Sequence, residues 1–202
     1  MVARGVGVVG GATTLTRALA ATAALALTAQ VAAASTTWET IGNCRDGRAQ
    51  GPYQLRSDDG QLRIAGAFNE GTRTGSFIFW RDNGVREAHV PYDDRGVRNG
   101  TVATWYDGPS DREPPRHVES AWRRGLRDGT TRTWYPDGQR RSQTEYAQGR
   151  IVASIGWTES GEPLSDDAAR ELARADEQIA DADYATRSNL IAEHMPSCGT
   201  RS

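Results

Sequence analysis

The chain has 202 residues, of which 25% are charged, with 24 basic against 26 acidic side chains and a net charge of −2. That balance excludes a strongly basic nucleic-acid binder and a long polyacidic tail. Hydrophobic residues make up 37% and glycines number 22, which excludes a thick core and fits a thin, turn-rich β architecture.

Residues 1–34 read as an address. Arg4 and Arg17 precede or flank an apolar stretch from Ala18 to Leu27, and the small residues Val31-Ala32-Ala33-Ala34 follow. This is the three-part pattern of a secretory signal, with cleavage expected after Ala34. The stretch is shorter than the ~20 residues a spanning helix needs, and it is built of Ala and Thr rather than Leu and Ile. The mature form carries 22 basic and 26 acidic residues and no other long apolar run, so it is expected in the periplasm or outside the cell, without a membrane span. Export also gives the two cysteines a context. An oxidising compartment and an even count predict a disulfide between Cys44 and Cys198.

Residues 35–162 contain a repeat. The spacing Gly-x-x-x-Gly occurs at Gly47/Gly51, Gly71/Gly75, Gly96/Gly100 and Gly125/Gly129, and a fifth copy starts at Gly149 with Ala153 in the second slot. Successive starts are 24, 25, 29 and 24 residues apart. Trp80, Trp105 and Trp134 lie five residues after a second glycine, and Trp157 with Gly161 begins a last half-unit. Asp59-Gly60, Asn83-Gly84 and Asp137-Gly138 are turn dipeptides, because Gly accepts positive φ and the Asx side chain stabilises the turn. Phe68, Tyr92, Trp122 and Tyr146 recur just before each following unit. Each unit reads as a β-hairpin, and stacked units predict an elongated, twisted sheet with two aromatic columns. Pro91 inside one returning strand predicts a missing ladder bond there, or an edge position.

These units resemble the MORN-repeat variant of the YwqK-type group of bacterial proteins. The pattern is similar over Gly75 to Gly100: Gly-x-Phe-x-Phe-Trp-x-Asp-Asn-Gly, a returning strand, an aromatic, then Gly-x-x-x-Gly. The resemblance covers roughly Gly47 to Gly161. It implies hairpin repeats in an elongated sheet and a scaffold or binding role. An antitoxin label travels with the group and implies a partner.

Two further features of the repeat point to contacts. The longest unit owes its surplus to the loop Gly108 to Arg116, where Asp111, Arg112 and Glu113 sit among three prolines. An insertion of this kind projects from a repeat array and often carries contacts. Arg73, Arg98 and Arg127 recur inside the Gly-x-x-x-Gly links, and such a ladder is expected as a solvated row with local ion pairs or as a contact for anionic polymer or lipid headgroups.

Residues 163–202 change character. Leu164, Ala168, Leu172, Ala175, Ile179, Ala182, Thr186 and Leu190 follow steps of three or four and predict one helical face, capped by Ser165 or Asp166 and ended by Pro196. The stripe is thin and Ala-rich, which predicts close packing of this helix on the sheet. The fold class expected is therefore mainly β, with tandem hairpin repeats and a C-terminal helix packed on them.

Catalytic chemistry finds no constellation in the sequence. His89, His117 and His194 lack metal-ligand spacing, His89 and His117 are expected on strands facing solvent, and no nucleophile elbow or phosphate loop is present. No cofactor and no catalysis are expected. The reading is an exported repeat module that binds another macromolecule, a protein first of all. Trp80, Trp105, Trp134, Trp157, Arg73, Arg98, Arg127, Asp111, Arg112 and Glu113 are its candidate contacts. The alternatives are an envelope component contacting cell wall or lipid headgroups, and an immunity protein neutralising a toxin.

Overall fold

Glycines spaced four apart turn the chain and then kink it. In a computed structural model that describes residues 37–199, Glu70 and Gly71 have φ of 50° and 81° and close a two-residue turn between β3 (Leu62–Asn69) and β4 (Thr72–Trp80). Both central residues are left-handed there, which is the turn whose twist matches the flanking strands. Gly75, four residues on, also has positive φ and lies where the β3–β4 register shifts. The first glycine thus makes the turn and the second makes a bulge. The same turn joins β1 (Trp38–Arg45) to β2 (Arg48–Ser57), β7 (Arg116–Arg123) to β8 (Leu126–Trp134), and β9 (Arg140–Ala147) to β10 (Arg150–Gly156).

The Asx-Gly dipeptides make a different turn at the opposite strand ends. Gly84 N donates to Arg81 O and Arg81 N to Val85 O, so a three-residue turn, Asp82 to Gly84, lies between β4 and β5 (Arg86–Tyr92). Asn83 Oδ1 accepts from Val85 N at 3.0 Å, as Asp59 does from Gln61 and Asp137 from Gln139. The side chain satisfies an amide that the turn would otherwise strand. With β6 (Gly100–Trp105), the ten strands form one antiparallel sheet in strict sequence order. The ladder is thinnest between β5 and β6, where only Ala88↔Thr104 and His89↔Ala103 pair. Pro91 follows two residues after His89. It therefore marks a short ladder inside the sheet and not an edge.

Neighbouring units are tied at both ends. Gly71 N donates to Ala49 O, Gly125 N to Arg98 O and Gly149 N to Arg127 O, so each two-residue turn after the first is pinned to the preceding unit. At the other end the residue after each tryptophan reaches forward. Arg81 donates to Trp105 O, Tyr106 to Trp134 O at 2.7 Å, and Tyr135 to Trp157 O at 2.8 Å.

One helix, α1 (Asp166–Glu193), covers one face of the sheet. Its 28 residues span about 42 Å. Ten strands at about 4.8 Å apart span about 43 Å. The helix is thus long enough to cross every strand, and it does. Ser154 of β10 donates to Ala169 O near its start, while Thr40 of β1 and Tyr53 of β2 donate to His194 O at its end. Ser165 is the N-cap, its Oγ accepting from Ala168 N. Beyond the helix, Cys198 is disulfide-bonded to Cys44 of β1, with the Cα atoms 5.6 Å apart.

The face under α1 divides in two. Under the C-terminal half of the helix it is apolar, with Tyr53, Leu55, Ile64, Phe68, Phe77, Phe79, Val90 and Ile191 buried together. Gly66 leaves the space that the Phe77 ring occupies. Under the N-terminal half the buried polar side chains Ser120, Thr131, Thr133, Ser142, Thr144 and Arg127 stand beside the rings of Trp122 and Tyr146. This corrects the middle of the expected helical stripe, whose ends at Leu164, Ala168, Leu172 and Leu190 are partly buried. Ala175, Ile179, Ala182 and Thr186 are exposed, Ile179 by 53%. The helix instead turns Ala169, Ala173, Asp176, Tyr184, Arg187 and Ile191 inward. Polar sheet residues and arginines are better met by acids than by methyl groups, and that outweighs apolar periodicity.

The expected signal segment 1–34 lies outside the described residues. Among the described residues no helix is long and apolar enough to cross a membrane.

Candidate functional site

Two rows of alternating aromatic and arginine side chains cross the sheet, one on each face. On the helix face, Phe68 pairs with Arg73, Tyr92 with Arg98, and Trp122 with Arg127, with Tyr146 next in line opposite Gly129. This row is the expected second aromatic column, interleaved with the arginines of the Gly-x-x-x-Gly links. The guanidiniums lie over the rings: Arg73 on Tyr92 at 5.6 Å, Arg98 on Trp122 at 3.4 Å, Arg127 on Trp122 at 4.7 Å. Such stacking is available to Arg because its planar cation is weakly hydrated.

Helix α1 lies along this row and answers it. Arg127 donates to Glu177 at 2.7 Å and to Asp181 at 2.9 and 3.3 Å. Arg98 sits against Tyr184 at 3.9 Å from the ring centre, and Arg73 reaches Ser188 O. Positions 177, 181, 184 and 188 fall on one helical face and rise about 16 Å. The arginines, two strands apart each, span about 19 Å. The near match of helical rise to strand spacing lets one helix serve three repeats. Two more ion pairs flank the row: Arg141 to Asp176 at 2.6 Å and Arg187 to Glu87 at 2.6 Å.

This placement corrects the expectation of a solvated arginine ladder. Arg127 is 6% exposed and Arg98 and Arg73 are partly buried beneath the helix. Helix acids bond Arg127, while Tyr184 and Ser188 O of the helix cover Arg98 and Arg73, so these three cations do not present themselves to an external polymer.

Burial also moves the titrating groups. Desolvation pushes the Asp176 carboxyl up against the opposing pull of Arg141 and the hydroxyls of Thr133 and Ser142. Desolvation pulls His117 down, and its ring stacks on Tyr106 at 4.3 Å between centres. His117 therefore lies on the helix face and not toward solvent. His89 is on the other face, partly buried, and bonded to Ser76 Oγ at 2.9 Å.

The second row occupies the face that α1 leaves open, at the three-residue-turn end of the strands. Trp80 pairs with Arg86, Trp105 with Arg116 and Trp134 with Arg140. Trp105 is held between Arg86 at 5.3 Å and Arg116 at 4.6 Å, and Arg140 lies 5.5 Å from Trp134. The row therefore reads Trp80, Arg86, Trp105, Arg116, Trp134, Arg140 on six successive strands. Alternate members stand about 9.6 Å apart. Arg86 and Arg140 are exposed and have no carboxylate within 4.0 Å among the described residues. Trp105 is only 5% exposed, because the two guanidiniums cover its faces.

The remaining candidates are not brought into this row as side chains. Trp157 is half-buried after β10; its backbone accepts from Tyr135 and bridges to Pro163. Asp111, Arg112 and Glu113 are exposed in the loop between β6 and β7, at the same strand ends as the open row. Asn83 of the neighbouring turn donates to Asp107 and Gly108 and fixes the base of that loop. Sequence reasoning found the tryptophans and missed Arg86, Arg116 and Arg140. The signal was present, since each falls two or more residues after a turn, opposite a tryptophan.

The chain matches no family model and no curated protein.

Proposed function

We propose that the chain is an exported, non-catalytic binding module of MORN-variant type whose open sheet face recognises a protein partner. The observation that carries this reading is the Trp–Arg row on the face opposite α1. The Arg86 guanidinium has no side-chain partner beyond the ring among the described residues, Arg140 bonds Gln143 through one N–H group and Arg116 pairs with Glu119, so the row combines flat apolar area with fixed donors, the composition of interface anchors. The Cys44–Cys198 disulfide supports an oxidising destination. The loop carrying Asp111, Arg112 and Glu113 borders the same strand ends and extends the surface.

An envelope role would have to use the same face, because the helix occupies Arg73, Arg98 and Arg127. The test is an affinity capture from a crosslinked envelope extract with the mature form, residues 35–202, against an Arg86→Ala/Arg140→Ala variant. A single protein lost with the variant supports the module and, if that protein is a toxin, an immunity role. Capture unchanged by the variant and by truncation of the loop sinks the reading. Recovery of wall polymer alone, released by salt, replaces it with an envelope contact.

A further inference from the structure

The cavity under α1 contains donors that the helix does not meet. It encloses about 60 Å³, room for roughly four water-sized groups. Trp122 lines it, is 7% exposed, and its Nε1–H has no hydrogen-bond partner. Arg98 lies over the same ring, with its other side closed by Tyr184. Its guanidinium makes no hydrogen bond among the described residues. The nearest carboxylate oxygen, Asp181 Oδ1, is 3.9 Å away and accepts from Arg127 at 2.9 Å. Thr104 Oγ1, also without a partner, faces the same cavity.

Buried donors without acceptors are unfavourable, and adjacent ones are more so when one is a cation. The acids on the cavity wall do not relieve them. Asp176 is engaged by Arg141 and Glu177 by Arg127, while Asp183 stands 3.9 Å from Arg187. Arg98, Arg127, Arg141 and Arg187 line the space with Asp176, Glu177 and Asp183, while Asp181 and Glu87 pair with Arg127 and Arg187 beside it, so the acids are engaged by other cations and Arg98 alone lacks a carboxylate closer than 3.9 Å. We propose that this cavity binds a small oxyanion, a carboxylate or inorganic phosphate, through the Trp122 Nε1–H and the Arg98 guanidinium. An oxyanion supplies acceptors to both donors and a closer counter-charge than Asp181 gives Arg98, within the space of four or five non-hydrogen atoms.

The test is a titration of the disulfide-bonded chain, as its host exports it, with acetate and with inorganic phosphate separately, at ionic strength held with chloride. The indole N–H resonances of the six tryptophans report the site. A saturable shift of the Trp122 resonance alone is expected, and the anion that saturates first names the ligand class. By calorimetry, Arg98→Gln and Trp122→Phe should each weaken binding about tenfold or more, since each removes a charge-assisted hydrogen bond. Trp122→Phe keeps a ring under Arg98, so it serves where Arg98→Gln does not fold. No saturable shift with either anion means that water fills the cavity and overturns the proposal. Equal shifts at all six indoles, or variants that bind like the parent, overturn it as well.

Discussion

Arg127 and Asp181, 54 positions apart in the chain, are joined by two hydrogen bonds of 2.9 and 3.3 Å between a sheet arginine and a helix carboxylate. Glu177 takes the same guanidinium from one helical turn away. The pairs form where the sheet offers α1 hydroxyls in place of apolar side chains. They hold the N-terminal half of the helix, while the apolar cluster and the disulfide hold its C-terminal half.

Replacing Arg127 with Ala should therefore destabilise the fold by about 2–3 kcal/mol. Breaking a fully buried pair costs about 3–5 kcal/mol, and Asp181 is half exposed, which lowers the figure. Urea denaturation of the parent and the variant measures it. A change within experimental error would show that the clamp adds nothing.

Reduction of Cys44–Cys198 opens a loop with a sequence separation of 154. In the chain-entropy model that costs up to about 5 kcal/mol. The link joins the end of α1 to the first strand, so amides near the C-terminus of the helix should lose hydrogen-exchange protection first. Uniform loss across all ten strands would contradict this order.

Stability should depend on pH through two partly buried groups with opposite signs. His117 has its folded pKa below the usual 6.5. The unfolded chain then binds more protons between those two values, so stability rises with pH through that window and is full above 6.5. Asp176 has its folded pKa above 3.8. Its contribution is largest when protonated and falls as pH rises from 3.8 through the folded value. His117→Phe keeps the stack on Tyr106 and should flatten the slope just below pH 6.5. Asp176→Asn should flatten the lower one. Urea midpoints across pH 3.5–7.5, a range set by ~3.8 and ~6.5 as reference values, check both.

On the open face, fold and recognition should separate by residue. Trp105→Ala removes a ring buried between Arg86 and Arg116 and should cost about 3 kcal/mol or more. Arg86→Ala loses exposed cation–π stacking and Arg140→Ala loses that and an exposed hydrogen bond to Gln143, within about 1 kcal/mol each. Thermal melts of the three variants distinguish them. Arg86→Ala and Arg140→Ala should retain the parent's melting temperature to within a few degrees.

Much of the architecture was legible in the chain. Glycines four apart recorded a left-handed turn followed by a bulge, and the aromatics between them marked two columns. These features are local: positive φ needs Gly at a given position, and strand alternation assigns side chains to faces at once. The disulfide followed from an even count and the expectation of export. The helix was legible in extent, with Ser165 as its cap, but not in orientation.

What only the tertiary structure decided was which row faces α1. The sequence shows arginines at every Gly-x-x-x-Gly link and acids throughout the helix, yet their composition suits solvent equally well. The decision comes from length and pitch. A 28-residue helix crosses ten strands, and its acids at positions 177 and 181 arrive over Arg127 because helical rise nearly matches strand spacing. Once the helix covers Arg73, Arg98 and Arg127, the tryptophan row with Arg86, Arg116 and Arg140 is left on the open face. A charge pairs with whatever geometry brings within reach, and local sequence carries no record of that distance.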